Sequence, residues 1–254
     1  MLSEAGAERL TSAVLGRSKI WFKRYGTERR MVGKWLHAAI SPLLYPDFLR
    51  SSPWLTPFAQ AERELRKMTA FAAAGFRVPR VLYRGRGVIA MMDAGETLTV
   101  VLGRLRASGD ATAHDEHLVA LARTLGEMHA AGLCHGRPHP RDFVVSRGKL
   151  GVLDFEEEPE AAMPLARAQA RDVWLLFFHI PALAVLDDTP ARALAAYFSV
   201  APAANAVEVA RIVRFFQRLA PIGEAAGKIH LGGDLRRFLE AMRFFRNVPI
   251  SGSA

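Results

Sequence analysis

Two acidic residues, Asp142 and Asp154, bracket a short apolar stretch, and that bracket constrains this chain more than any other feature. The run His135-Gly136-Arg137-Pro138-His139-Pro140-Arg141-Asp142 leads into Phe143-Val144-Val145, a Ser146-Arg147-Gly148-Lys149 turn, and Leu150-Gly151-Val152-Leu153 before Asp154-Phe155-Glu156. Two apolar, β-branched runs around a glycine-containing turn read as a hairpin. Antiparallel pairing brings the ends of a hairpin side by side, so both carboxylates reach one edge. Two acids at one strand edge are what a divalent cation bridging nucleotide phosphates needs.

Half of the 254 residues are hydrophobic, enough for a sizeable core in one large domain or in two lobes sharing a cleft. Cys134 is the single cysteine, so no internal disulfide forms; it reads as a small buried hydrophobe. The first residues lack the basic start and apolar run of a secretory signal, which points to the cytoplasm. Val173 to Leu186, the longest apolar stretch, is interrupted by His179 and Pro181 and is shorter than the roughly 20 residues a membrane span requires. It reads as a buried helix. The formal charge of +9 is uneven: residues 1–100 hold 16 Lys and Arg against 8 Asp and Glu. Such an excess attracts anionic lipid, nucleotide or nucleic acid alike.

Along the chain, Thr11 to Tyr25 reads as a hairpin about Gly16-Arg17-Ser18, with Lys23 on its second strand. Residues 26–58 are basic, aromatic and proline-rich, with a short amphipathic helix expected around Arg30 to Ile40. A helix from Phe58 to Ala74 carries Glu62 and Glu64 and ends at Gly75, with Pro79 beyond. Strands follow at Val78 to Tyr83 and Gly87 to Met92, then a connector at Asp93-Ala94-Gly95. Beyond it the pattern is helical over Thr97 to Ala107, Asp115 to Ala131, Ala161 to Leu186, Pro190 to Phe198, Asn205 to Ala220 and Leu235 to Phe245. The expected class is α+β, with a small strand-rich lobe over 1–95 and a larger helical lobe over 96–254.

These features occur in the order found in the protein-kinase-like superfamily. Lys23 falls at its strand lysine and Glu64, eleven residues before Gly75, at the helix glutamate that pairs with it. Gly75-Phe76-Arg77-Val78-Pro79 matches the turn after that helix. His129-Ala130-Ala131-Gly132-Leu133 matches the end of the long helix before the loop, and Arg171-Asp172 the pair opening the next buried helix. The chain resembles a bacterial member of that superfamily, nearest to the lipopolysaccharide kinases and related to RIO-type and aminoglycoside phosphotransferases. The resemblance implies a bilobal kinase-like fold, ATP and Mg²⁺ as cofactors, Lys23 and Glu64 on the nucleotide phosphates, and Asp142 and Asp154 on the metal.

The departures from the family pattern bear on function. Arg137 stands where such kinases carry the catalytic aspartate, and a guanidinium cannot accept a proton. Asp142 replaces the usual asparagine, and no Gly-x-Gly-x-x-Gly loop precedes Lys23. His135 reads as a structural residue that hydrogen-bonds backbone, and His139 as a substitute proton acceptor. Glu156, two residues after Asp154 on the same face, is expected to approach the metal or Arg137.

Three functions follow. The first is a Mg-ATP phosphotransferase acting on a lipopolysaccharide or other envelope glycolipid precursor, with Arg137 facing the transferring phosphoryl oxygens. The second is a pseudokinase scaffold for a protein partner, in which Arg137 neutralises Asp142 or Asp154. The third, nucleic-acid binding, lacks any recognisable module. A helix carrying Arg29, Arg30 and Lys34 beside Met31, Val32, Trp35 and Leu36 would rest on an anionic membrane surface, peripheral to the inner membrane.

Overall fold

The computed structural model describes residues 8–26, 46–49, 55–146, 148–227, 232–248 and 250. The basic stretch with Arg29, Arg30 and Lys34, and the helix expected around it, lie outside the described residues.

The N-terminal region is an antiparallel sheet in the order β1-β2-β4-β3, formed by β1 (Leu10–Leu15), β2 (Ser18–Arg24), β3 (Val81–Gly85) and β4 (Val88–Met92). In β2 the sequence Lys19-Ile20-Trp21-Phe22-Lys23 alternates faces, so Trp21 and Lys23 share one side of the sheet. Helix α1 (Pro57–Ala73) follows β2 in sequence. Thr56 caps its start, its hydroxyl accepting from Ala59 N at 3.3 Å, and Pro57 takes the first helical position, where no N–H is needed. Gly75 ends it with φ 89°, a left-handed turn in which Phe76 N reaches back to Phe71 O at 3.0 Å. The sheet strand expected from Val78 starts at Val81 instead. Arg77, ahead of it, bridges in parallel to Gly151 of the second sheet.

That second sheet has the order β5-β6-β7: β5 (Glu96–Thr97), β6 (Phe143–Ser146) and β7 (Lys149–Val152). The hairpin register pairs Phe143 with Val152 and Ser146 with Lys149, as the sequence pattern requires. Helices α2 (Leu98–Ser108) and α3 (Ala111–Ala130) precede it; α3 begins earlier than Asp115 because Asp110 caps it, accepting from Ala113 N at 2.9 Å. After the hairpin come α4 (Leu165–Phe177), α5 (Ile180–Leu183), α6 (Thr189–Phe198), α7 (Ala204–Gly227) and α8 (Gly233–Asn247). The single helix expected over Ala161 to Leu186 is therefore two. Pro164 holds the non-helical position before α4, and Pro181, lacking an N–H, sits at the start of α5 after a break at Phe178-His179.

The larger core lies among α3, α4, α6 and the hairpin, with Leu118, Leu121, Leu125, Met128, Phe143, Phe155 and Phe177 fully enclosed. Trp174 of α4 stacks on Phe216 of α7 with ring centroids 4.2 Å apart and meets Phe245 of α8, which ties the C-terminal helices to the hairpin's support. The fold is α+β: an N-terminal antiparallel sheet followed by a mostly helical region, the arrangement expected of a kinase-like chain.

Candidate active site

A cavity of about 420 Å³ opens between the first sheet and the hairpin. Lys23 lies on its wall, only 8 % exposed, because β2 is an inner strand of the first sheet. Its ammonium donates to both oxygens of Glu64 at 2.9 and 2.8 Å, to Asp154 Oδ1 at 2.8 Å, and meets Glu156 Oε1 at 2.7 Å. Tyr25 donates its hydroxyl to the other side of Glu64 at 2.5 Å. Burial alone would favour a neutral lysine; the carboxylates of Glu64, Asp154 and Glu156 overcome it and hold Lys23 firmly charged. Burial raises the Glu64 carboxyl, with Lys23 and the Tyr25 hydroxyl pulling against it. Asp154 is opposed by burial but held down to about 2 by Lys23. Glu62, by contrast, points to Arg84 at 3.9 Å, so the partner of Lys23 is Glu64.

The hairpin brings Asp142 and Asp154 together as its pairing predicts, and Leu153 N donates to Asp142 O at 2.7 Å. Asp154 has φ 59°, the only non-glycine residue with positive φ among the described residues, a conformation that costs about 1–2 kcal/mol. His135 donates Nε2–H to Leu153 O at 3.0 Å, fixing the backbone just ahead of that turn. Asp142 is buried, and the loss of water together with the charge of Asp154 pushes its carboxyl up to about 7, with Arg141, Nε 3.5 Å away, opposing.

The loop before Asp142 hangs on Asp172 of α4. This fully buried carboxylate accepts from His135 N at 2.7 Å, Gly136 N at 3.0 Å and Cys134 Sγ at 3.2 Å, with His129 Nε2 at 3.5 Å. Burial works against its charge, yet these donors and His129 hold its pKa below the usual carboxylate range. Gly136 turns with φ 104°, and a Cβ there would lie 2.6 Å from Glu157 O. Arg171 spans the loop, donating to Gly136 O at 2.5 Å and to Glu157 Oε2 at 2.8 Å.

Two contacts escape the sequence reading. Lys67, buried on α1 one turn after Glu64, donates to Glu157 O at 2.6 Å and His135 O at 3.1 Å. Arg66 pairs through both guanidinium nitrogens with Glu158 at 2.7 and 2.8 Å. Together they dock α1, and with it Glu64, onto the segment after Asp154. The signal was the helical spacing of Lys67 from Glu64, which puts both on one face.

Arg137 lines the cavity with half of its side chain exposed, and its Nε lies 3.8 Å from Glu157. Among the described residues its ion pair is with Glu157 rather than with Asp142 or Asp154; Arg141 is the arginine beside Asp142. His139 does not line the cavity. Its Nδ1 accepts from Arg141 N at 3.0 Å, and its ring packs edge-on against His179, 4.2 Å between centroids. Burial, then His179 and the arginines 141, 237 and 137, depress its pKa to about 4. Glu156 turns away from Arg137 to Lys23 and to Arg9. The Glu64, Asp154 and Glu156 oxygens lie within 4.8 Å of one another.

The model of the lipopolysaccharide kinase (Kdo/WaaP) family matches residues 7–197, three quarters of the chain and every element of this cleft. The chain belongs to that family. Lipopolysaccharide kinases are kinase-like phosphotransferases, and ATP use goes with the family. No curated protein matches the chain. No helix among the described residues of this lipopolysaccharide-kinase family member is long and apolar enough to cross a membrane.

The donor set fits a hard divalent cation. Asp142 and Asp154 offer carboxylate oxygens at one edge, the donor type such a cation takes, and Asp142 is raised by burial first and by the charge of Asp154 second.

Proposed function

We propose that the protein is a Mg-ATP-dependent phosphotransferase acting on an envelope glycolipid, a lipopolysaccharide precursor in the first place, with Arg137 replacing the usual catalytic aspartate. The observation that carries this reading is the convergence on one buried ammonium, Lys23, of Glu64 and Asp154 at hydrogen-bond distance from opposite sides of the cleft. A lysine so held is a point charge ready for phosphate oxygens. Glu64 keeps it oriented, and Tyr25 and the docking of α1 through Lys67 keep Glu64 in place. Asp142 and Asp154 would hold the magnesium, which supplies charge neutralisation on the nucleotide phosphates. The lobes divide at 95/96 in this reading, with the cleft between them.

Arg137 gives the transferring phosphoryl group a positive partner where most kinases offer a base. Phosphoryl transfer depends chiefly on positioning and charge stabilisation, and a general base contributes roughly 10²–10⁴-fold, so transfer without one is slow rather than abolished. His139 is a weak substitute: its Nδ1 is occupied and its pKa of about 4 leaves it little affinity for a proton. The same facts favour a second reading, a pseudokinase that binds nucleotide and regulates a protein partner.

Calorimetric titration with ATP, with and without Mg²⁺, tests the site. Asp154→Asn is expected to abolish the magnesium-dependent part of binding or weaken it more than tenfold, about 1.4 kcal/mol or more. Undiminished magnesium dependence in a folded variant would remove the proposed site. Phosphate transfer to a lipopolysaccharide precursor, against ATP binding without transfer, then separates kinase from pseudokinase.

A further inference from the structure

The cavity is chemically divided. At one end lie the ammonium of Lys23 and the carboxylates around it. At the other the wall is apolar, built from Met91 and Met92 of β4, Ala94 after it, and Val144 of β6. A nucleotide whose phosphates sit at the charged end has its base at the apolar one, because a base carries the apolar, stackable surface of such a ligand. Of the two aromatic residues that line the cavity, Phe155 is fully buried, which leaves Trp21 as the one with a face to offer.

Trp21 reaches the cavity by strand geometry. It lies two residues before Lys23 on β2, so both side chains leave the same face of the sheet about 7 Å apart along the strand. Its cross-strand neighbours are Ser12 of β1 on one side and Met91 of β4 on the other, one small and the other part of the same wall. The indole is fixed at two points. Its Nε1–H donates to Asp93 Oδ1 at 2.7 Å, and the Lys19 ammonium stands 4.2 Å from the ring centroid. Asp93 is itself anchored, its N–H donating to Lys19 O at 2.9 Å. An indole held by its N–H and by a cation on its π cloud is pre-oriented, and a pre-oriented ring loses little entropy when a base stacks on it.

Resting on the nucleotide reading above, we propose that Trp21 is the stacking platform for the nucleobase and makes the cleft selective for purines, with Asp93 as the residue that positions the ring. The bicyclic indole overlaps the whole of a purine and only part of the area is used by a pyrimidine. A base on an aromatic face needs no hydrogen-bond readout to gain affinity. This assigns part of the binding energy to a contact independent of magnesium and of the carboxylates Glu64, Asp142, Asp154 and Glu156 at the charged end.

The test compares wild type, Trp21→Phe and Trp21→Leu, titrated with Mg-ATP, Mg-CTP and inorganic tripolyphosphate with Mg²⁺, while tryptophan fluorescence is recorded. Leucine keeps an apolar side chain in the strand but no ring. Expected is ATP affinity about tenfold lower in Trp21→Leu, and within about threefold of wild type in Trp21→Phe. Tripolyphosphate binds all three alike, the preference of wild type for ATP over CTP disappears in Trp21→Leu, and the ATP-induced change in fluorescence disappears in Trp21→Phe although binding persists. Equal ATP affinity in wild type and Trp21→Leu overturns the proposal while leaving the phosphate site intact. So does a parallel loss of ATP and tripolyphosphate affinity, since the residue would then support the charged end. Wild type that binds neither ligand overturns the nucleotide reading and this inference with it.

Discussion

At the scale of single residues, the cleft is decided by which charges meet. Lys23, Glu64, Asp142 and Asp154 were legible because each is tied to a local pattern: a strand, a helix a fixed distance before a glycine, and the two ends of a hairpin. Glu156 was not, because nothing local says that it turns to Lys23 and Arg9 instead of Arg137; that choice is made by the docking of β1 and β2 over the loop. On the proposed reading, activity turns on Arg137. Its guanidinium lines the cavity with no acid closer than 3.8 Å among its ion pairs, so it is available to an incoming anion. Arg137→Asp is expected to lower phosphotransfer to a glycolipid acceptor by roughly 10²-fold, less than an enclosed arginine finger because half of the side chain meets water. The check is ADP release with the acceptor present. A rise in rate would mean that the position wants a base and that the wild-type chain is the impaired form.

At the scale of elements, the hairpin and α1 followed from their patterns, whereas the two-residue strand β5 and the break between α4 and α5 did not. A pairing of Glu96-Thr97 with β6 leaves no periodic trace, since two residues make no pattern. Pro181 was visible as an interruption of an apolar run, but whether a proline kinks a helix or starts a new one depends on what packs around it. Helix α4 matters most through Asp172, whose carboxylate collects the backbone of the loop carrying Arg137. Asp172→Asn keeps one acceptor oxygen but places an amide among donors that have no lone pair for it. It is expected to destabilise the fold by about 3 kcal/mol, near the cost of breaking a buried charged partnership. At about 2–4 °C for each kcal/mol, the melting temperature should fall by roughly 10 °C. A melting temperature within error of wild type would show that the loop is held by other contacts.

At the scale of the whole molecule, α8 packs on α7 and α5 and brings the charge of Arg237 to bear on two histidines, which bears on how the protein responds to acid. His139 and His179 are held near 4 by burial first; His179, Arg141, Arg237 and Arg137 then act on His139, and Arg237 and Arg141 on His179, where Asp234 opposes. An unfolded histidine binds its proton near 6.5. Between pH 6.5 and 4 the unfolded chain therefore takes up protons at these two positions that the folded chain refuses, so their contribution is fully present above that window and is lost as pH falls through it, while Asp142, raised to about 7, works the other way. From pH 7 to pH 5 the wild type should lose several degrees of melting temperature relative to the double variant His139→Asn, His179→Asn, in which the opposing contribution of Asp142 is unchanged. Equal slopes for the two proteins would place the acid sensitivity elsewhere. None of this was readable from the sequence, where positions 139, 179 and 237 share no motif. The two regions of the chain meet at the docking of α1 through Arg66 and Lys67, and at two further places beside a 250 Å³ hollow. They are joined once by the covalent run through Met92, Asp93 and Ala94, and again where Arg77 O accepts from Val152 N at 2.8 Å and the Arg77 guanidinium donates to Ser146 O at 2.6 Å. The docking of α1 is a third attachment, set apart from those two, and three separated points hold a body against rotation where two would leave a hinge. A movement that parted Lys23 from Asp154 and Glu156 would therefore have to break the contacts of Arg66 and Lys67 as well.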